Sequence, residues 1–377
     1  MIRGRISVLI ACYQHGHWLD GALKSVFAQT APDIEAIVAN DGSTDDTDLV
    51  AHRWQQREPR RVTVVNTARV GQAAARRAAL ERASGEFYIT LDADDLLEPR
   101  MAERCVAALA QDPEAILAAA DVWMVDESGS RALRLLEQGR LPGWPGVLMS
   151  NPLGGVGGLL VRREAAERIG GLTMDGLPGV EDWDFAVRLT RAGLRVVRVP
   201  EALARYRQSR ASFSRNPIPM LKARLELMDR CRKPDDRLDL PPSKQPVIDE
   251  EAWGRLRNRQ VFFVLGLAAA GSAAALPEVL ASRVAGENDW RAWARAFAEG
   301  VGYAALAGGS GRNAAARARL ALTVSLASTG EGSFTEPLLF EMEKTVHRTC
   351  FPGPRYWKRR FAAWQATRRF RRSGGAA

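Results

Sequence analysis

Residues 83–95 read Ala83-Ser84-Gly85-Glu86-Phe87-Tyr88-Ile89-Thr90-Leu91-Asp92-Ala93-Asp94-Asp95. The run 87–91, rich in aromatic and β-branched residues, predicts a strand that passes directly into an acidic turn. Apolar runs at 6–11, 34–39 and 62–66 predict three strands before it. Helical patterns separate them. In 18–30, Leu19, Ala22, Leu23, Val26 and Phe27 fall at i, i+3, i+4, i+7 and i+8; a second helix is expected near Asp45 and a third over 71–83. Strands alternating with helices predict a parallel sheet with crossover connections. The polar turns follow the strands, at the edge where open α/β sheets bind ligands. Asp41 and the 92–95 turn are therefore expected to face one crevice.

Three segments could carry chemistry. Closely spaced carboxylates in Asp92-Ala93-Asp94-Asp95 offer hard oxygen ligands to Mg2+ or Mn2+ if the turn curls, and a cation there would screen a diphosphate. A solvated turn with capping aspartates is the plain alternative. In Asn40-Asp41-Gly42-Ser43-Thr44-Asp45, Asp41 could accept a ring N–H of a base while Gly42 admits a ligand close to the backbone; the alternative is an ordinary βα turn. Glu181-Asp182-Trp183-Asp184 opens a helical pattern, and a helix N-terminus favours an ionised carboxylate ready to act as a base. Simple capping is again the alternative.

Farther along, 101–110 predicts a helix, 116–125 and 159–162 strands, and 195–199 a last strand. Loops 138–158 and 171–180 are where substrate specificity is expected. Prolines concentrated between Pro217 and Pro246 mark a boundary, and the Ala-rich pattern after it predicts helices.

Taken in order, these segments resemble the family 2 glycosyltransferases. The family's Pro-x-Tyr-Asn corresponds to Ala11-Cys12-Tyr13-Gln14, and its NDGSTD turn is intact at 40–45. Its A-R-N is matched by Ala75-Arg76-Arg77, its strand and D-x-D-D by 83–95, and its later motifs by 162–165, Gly170-Gly171 and Glu181-Asp182-Trp183-Asp184. The resemblance spans roughly residues 5–215. It implies an α/β, GT-A nucleotide-sugar-binding fold, with a mostly parallel central sheet and helices on both faces, followed by an α-helical C-terminal region. The expected divisions are a catalytic domain at 1–216, a Pro-rich linker at 217–250, a helical region at 251–330 and a basic aromatic tail at 331–377.

The implied activity is an inverting transfer of a sugar from a nucleotide-diphosphate donor, UDP favoured, to a hydroxyl of a glycan or lipid-linked acceptor. Carried over by position, Ala11, Tyr13, Asp41 and Asp92 would hold the nucleotide, and Asp94 with Asp92 would ligate Mn2+ or Mg2+. Asp182 would be the general base, with Glu181 and Trp183 shaping the acceptor side, Trp183 by stacking on a sugar. The family's His in a Tyr-Arg-x-His segment is missing from Tyr206-Arg207-Gln208-Ser209, so Arg207 or Arg210 is expected to carry part of the diphosphate charge. Two other classes compete. A sugar-1-phosphate nucleotidyltransferase should open with a Gly-rich phosphate loop, which 10–17 lacks, and a non-catalytic nucleotide- or glycan-binding relative would have no need of all three acids.

The 377 residues carry a net charge of +9, but ten positive charges lie between Lys344 and Arg372 with no acid after Glu343. The rest is close to neutral, so no nucleic-acid partner is expected. In 353–373, Trp357, Phe361 and Trp364 recur on one helical face among cations, a pattern suited to an anionic membrane surface. No secretory signal or spanning run is read, and Cys12, Cys105, Cys231 and Cys350 form no CxxC pair. The expected location is the cytoplasm, peripheral to the inner face of the membrane.

Overall fold

The computed structural model describes residues 1–126, 132–135, 142–153, 156–171, 177–208 and 213–271, with scattered positions up to 301. The chain divides into two compact units, one of Met1–Gln260 with Arg283–Glu287, the other of Val261–Ser282 with Asn288–Ala377.

The first unit opens with strands and helices in strict alternation: β1 (Ile2–Cys12), α1 (Gly16–Phe27), β2 (Ile34–Asp41), α2 (Thr47–Arg57), β3 (Val62–Thr67), α3 (Gln72–Arg82) and β4 (Gly85–Asp92). The last seven residues of β1 are buried, as a strand covered on both faces must be. Helix α1 buries Leu19, Ala22, Leu23 and Val26, the stripe its spacing predicts. Phe27 and Trp54 stack at 5.4 Å between ring centroids, joining α1 to α2. Helix α2 starts at Thr47, slightly later than expected, because the Asp45 side chain accepts hydrogen bonds from the Thr47 N–H and from Gly16 N–H and so belongs to the turn.

The chain continues through β5 (Leu96–Leu97), α4 (Met101–Gln111), β6 (Ala115–Asp126), β7 (Ala132–Leu135), β8 (Leu159–Arg162), α5 (Arg163–Glu167), α6 (Glu181–Arg191) and β9 (Arg195–Gln208). Strand order is β3-β2-β1-β4-β8-β6-β9-β5, with β7 paired to β6. The half from β3 to β4 is parallel, as expected. Beyond β4 the sheet is mixed: β8 runs antiparallel to both β4 and β6, while β6 and β9 are parallel. Strand β9 is much longer than the expected 195–199. It continues past a register shift between Ala120, paired with Val199, and Asp121, paired with Ala202; Pro200, which cannot donate to a ladder, falls within this irregularity.

The expected linker at 217–250 instead holds secondary structure. Pro217 occupies the first turn of α7 (Pro217–Arg230), where a missing N–H costs nothing, and α7 buries Met220, Leu221, Leu227 and Met228. Gln245 donates to the carbonyls of Asp235 and Leu240 and accepts from Asp235 N–H, folding the remaining stretch on itself. Helix α8 (Glu250–Gly271) follows, and the division between the units falls within it. In the second unit, Val261, Phe262, Val264 and Leu265 are buried, and Gly266 and Gly300 lack the Cβ that would collide with the carbonyls of Phe297 and Phe263. Among the described residues no helix is long and apolar enough to cross a membrane. The tail at 353–373 lies outside the described residues.

Candidate active site

Strands β2, β1 and β4 end level with one another: Ala11 pairs with Ala39 on one side and with Asp92 on the other. From β3 the chain crosses to the far side of β1, so this edge is the topological switch point where a crevice opens. The turns after β2 and β4 therefore meet across β1, as the pattern predicted.

On the β2 side, Asp41 is 4 % exposed. Its Oδ1 accepts from the Thr67 hydroxyl (2.8 Å) and Val70 N–H (2.7 Å), its Oδ2 from Gly71 N–H (2.8 Å). Three of roughly four acceptor sites are thus engaged by the chain between β3 and α3. Gly42, at φ +69, gives its close approach to that same segment, since a Cβ there would lie 3.1 Å from Arg69 N. Tyr13 is exposed, with the Arg69 guanidinium 3.2 Å above its ring, and Ala11 is buried. Burial pushes the neighbouring Cys12 thiol up to about 12, which keeps it protonated and inert.

On the β4 side, Asp92, Asp94 and Asp95 each present a carboxylate oxygen, all within 4.8 Å of one another. Burial raises the pKa of Asp94, and the charge of Asp92 adds to it. Burial likewise raises Asp95 well above the ordinary carboxylate range, with Asp94 and Asp92 reinforcing the effect. Three crowded carboxylates that disfavour one another's charge are a hard-oxygen donor set suited to a divalent cation. Asp95, part of the acidic turn but given no separate role by the resemblance, also accepts from Arg207 N–H at 2.8 Å. Arg207 Nε donates to the Asp94 carbonyl at 2.9 Å, and the guanidinium lies 4.0 Å over Trp18. Arg207 is thus brought to the acidic turn, while Arg210 lies outside the described residues.

The third wall is the start of α6. Asp182 accepts from Asn151 Nδ2 (2.7 Å) and Trp183 N–H (2.8 Å), and Glu181 Oε2 accepts from Gly179 N–H (2.8 Å). Both carboxylates are buried, and their pKa values are raised, not lowered as the helix N-terminus led us to expect. Desolvation outweighs the hydrogen bonds and the helix end. Trp183 also departs from expectation: it is fully buried, with its indole N–H donating to the Val147 carbonyl at 2.8 Å. It cannot stack on an acceptor sugar and instead anchors the helix.

One side chain ties the walls together. Arg76 on α3 is buried and pairs with Asp92 at 2.5 Å. Burial opposes its charge, but Asp92, Glu181 and Asp182 outweigh that penalty and hold the guanidinium protonated. Gln72, one turn earlier, also donates to Asp92. The signal for Arg76 was its place on the same helical face as Ala75, Ala79 and Leu80, all buried, whereas Arg77 points to solvent. Asn151, in a loop far from Asp182 in sequence, left no comparable signal.

Residues 7–169 match the family model described as glycosyl transferase family 2. An uncharacterized glycosyltransferase of Nostoc sp. (strain PCC 7120) is 38% identical over 102 residues, 27% of this chain and 32% of the relative. The chain therefore spans about a third of that relative's length. The Bacillus subtilis (strain 168) protein EpsE is 27% identical over 218 residues, 56% of this chain and 76% of EpsE. Among solved structures, S. aureus TarS superposes with a TM-score of 0.50 at 14% identity, covering 91% of this chain and 55% of TarS, a likeness of fold. The matched stretch 7–169 takes in most of β1, all of β4 and the acidic turn between β4 and β5, so this part of the chain is similar to glycosyl transferase family 2.

Proposed function

We propose that this chain transfers a sugar from a nucleotide-diphosphate donor to a hydroxyl of a glycan or lipid-linked acceptor, with inversion, in a single displacement. The observation that carries the reading is the buried Arg76, held charged between Asp92 on one side and Glu181-Asp182 on the other. It sets a cluster of oxygen donors and a buried candidate base around one crevice. Ala11, Tyr13 and Asp41 border the nucleotide, Asp41 chiefly by fixing the chain that faces it. Asp92 and Asp94, with Asp95 behind them, are the residues that would hold Mn2+ or Mg2+. Such an ion supplies positive charge against the departing diphosphate. Arg207 adds a second positive charge beside the turn, in keeping with a segment that has no His.

Asp182 takes the proton from the acceptor hydroxyl at a carboxylate oxygen. Asn151 and the Trp183 N–H fix the direction of that carboxylate, and a positioned base is worth about 10²–10⁴-fold. Its raised pKa makes it a stronger base than an exposed Asp and sets the acid limb of the rate profile above the ordinary value of 3.8. Inversion needs no covalent intermediate, which agrees with the protonated, buried Cys12. The basic aromatic segment 353–373 is the part of the chain suited to hold the enzyme at an anionic membrane carrying a lipid-linked acceptor.

The test measures binding of UDP, GDP, dTDP and CDP, with and without Mn2+, to the wild type, Asp94→Asn and Asp182→Asn. Metal-dependent tightening for one diphosphate is expected, lost in Asp94→Asn and retained in Asp182→Asn. Turnover with the matching sugar nucleotide should fall at least about 10²-fold in Asp182→Asn. A wild type that binds none of the four nucleotides would overturn the donor reading.

A further inference from the structure

Just before Asn151 the chain makes a single helical turn, Gly146–Leu148. It is closed by Val147 N–H donating to the Gly143 carbonyl, Leu148 N–H to Pro145 and Met149 N–H to Gly146. Where so short a helix stops, its last carbonyls have no partner within it, and buried ones must find donors elsewhere. Here three consecutive carbonyls take side-chain donors from two helices distant in sequence. Val147 accepts from the Trp183 indole on α6 (2.8 Å), Leu148 from Gln260 Nε2 (3.2 Å) and Met149 from Arg259 Nε (2.6 Å), the last two on α8.

These contacts form a closed circuit. Gln260 is 1% exposed, and its side-chain oxygen accepts from Arg224 on α7 at 2.7 Å. The Arg224 guanidinium in turn lies 5.1 Å over the Trp183 ring. Two residues beyond Met149, the side-chain oxygen of Asn151 accepts from Leu153 N–H (3.0 Å), which turns its amide nitrogen toward Asp182 Oδ2 (2.7 Å). Neighbouring residues of α6 thus grip the loop at both ends, Trp183 at Val147 and Asp182 at Asn151, while α8 holds the stretch between.

We propose that Arg259 and Gln260 are positioning residues for the transfer step: from α8 they fix the loop that carries Asn151 and, through it, the direction of the Asp182 carboxylate. The proposal rests on the reading of Asp182 as the base and deepens it. A base must meet its proton along one direction, so a small displacement costs rate while donor binding is spared. Asp182 Oδ1 is held by the N–H of Trp183 on its own helix, whereas Oδ2 depends on the Asn151 loop. The Asn151 hydrogen bond also keeps the Asp182 carboxyl below where burial alone would set it, so losing that bond raises its pKa. The charged groups beside Asp182, Arg76 on α3 and Glu181 on α6, are kept in every variant below.

The experiment follows the Asp182 carboxyl of the full chain by carboxyl-carbon NMR through a pH titration, its signal being the one lost in Asp182→Asn. Asn151→Ala is expected to move the midpoint upward. Arg259→Met and Gln260→Met, which remove the donors at similar length, should move it the same way. Arg259→Lys, which keeps a donor for the Met149 carbonyl, should restore it, and Arg259→Met added to Asn151→Ala should move it no further. Release of nucleoside diphosphate from UDP-glucose and GDP-mannose is measured alongside in Mn2+, with water as acceptor. Arg259→Met should lower kcat by about 10–10²-fold with the donor KM unchanged. Arg259 is only half-buried, so this variant keeps the fold where Gln260→Met does not. A midpoint that moves in Asn151→Ala but in neither α8 variant overturns the proposal and leaves the base reading intact. A shift from Arg259→Met that adds in full to that of Asn151→Ala does the same. Turnover retained in Asp182→Asn removes the base reading and the proposal with it.

Discussion

Among the described residues Arg76 has one partner at hydrogen-bond distance, Asp92, yet it also offsets the charges of Glu181 and Asp182. Replacing it with Met leaves buried carboxylates without their counter-charge, a loss of about 3–5 kcal/mol. Urea unfolding of Arg76→Met should show that loss as a lower midpoint with an unchanged slope. Glu181 behaves in the opposite sense. Its pKa is raised above 4.5 by burial, against the pull of Arg76, and its Oε1 is buried without a hydrogen bond. A carboxyl raised on folding stabilises the native state fully below its unfolded pKa, and that contribution is lost as pH rises through the folded value. Glu181→Gln mimics the protonated form and keeps an acceptor for Gly179 N–H. The variant is therefore expected to melt higher than wild type at pH 7 and level with it below about pH 4; a difference that persists in acid would refute this account of Glu181.

Helix α6 shows why parts of the site could be read and others could not. Ten of its eleven residues are buried, the charged ones included, so the helical pattern in its sequence does not say which face meets the crevice. Trp183 is assigned to the acceptor side by the resemblance alone, and its burial and hydrogen bond to the Val147 carbonyl show otherwise. The acidic residues were legible because their type and spacing already imply chemistry, whereas Asn151 and Arg76 act through partners that only the fold brings near. Prolines at 217–246 misled for a similar reason, since a proline serves a helix N-terminus as readily as a linker. What holds α6 in place is Asp184, bonded to Arg188 at 2.9 Å and to both terminal nitrogens of Arg237 at 2.9 Å each. Arg188 is fully buried. Asp184→Ala should therefore cost about 3–5 kcal/mol in chemical denaturation. It should also lower kcat more than donor affinity, because the helix start that carries Asp182 loses its anchor.

At the scale of the whole molecule, charge and sheet order have separate consequences. The cationic segment 344–372 stands against a nearly neutral remainder. The full chain is expected to sediment with vesicles containing anionic lipid at low salt. It should be released at high salt, and a chain cut after residue 352 should stay in solution. Sedimentation that ignores salt and truncation alike would place the contact elsewhere. Sheet order bears on how the protein is made. The four-residue strand β8 is hydrogen-bonded to β4 on one side and β6 on the other, and β4 and β6 are not neighbours in the sheet. As the chain leaves the ribosome, the nucleotide-facing half can close once β4 has emerged. Strand β6 then waits without a seat until residues 159–162 arrive to splice it in. Asp182 follows only after that, and Arg237, which pins its helix, later still. On the proposed reading, the strand ends and acidic turn that face the nucleotide are thus made well before the candidate base, and the acceptor side is completed only once synthesis has passed the α6 anchor.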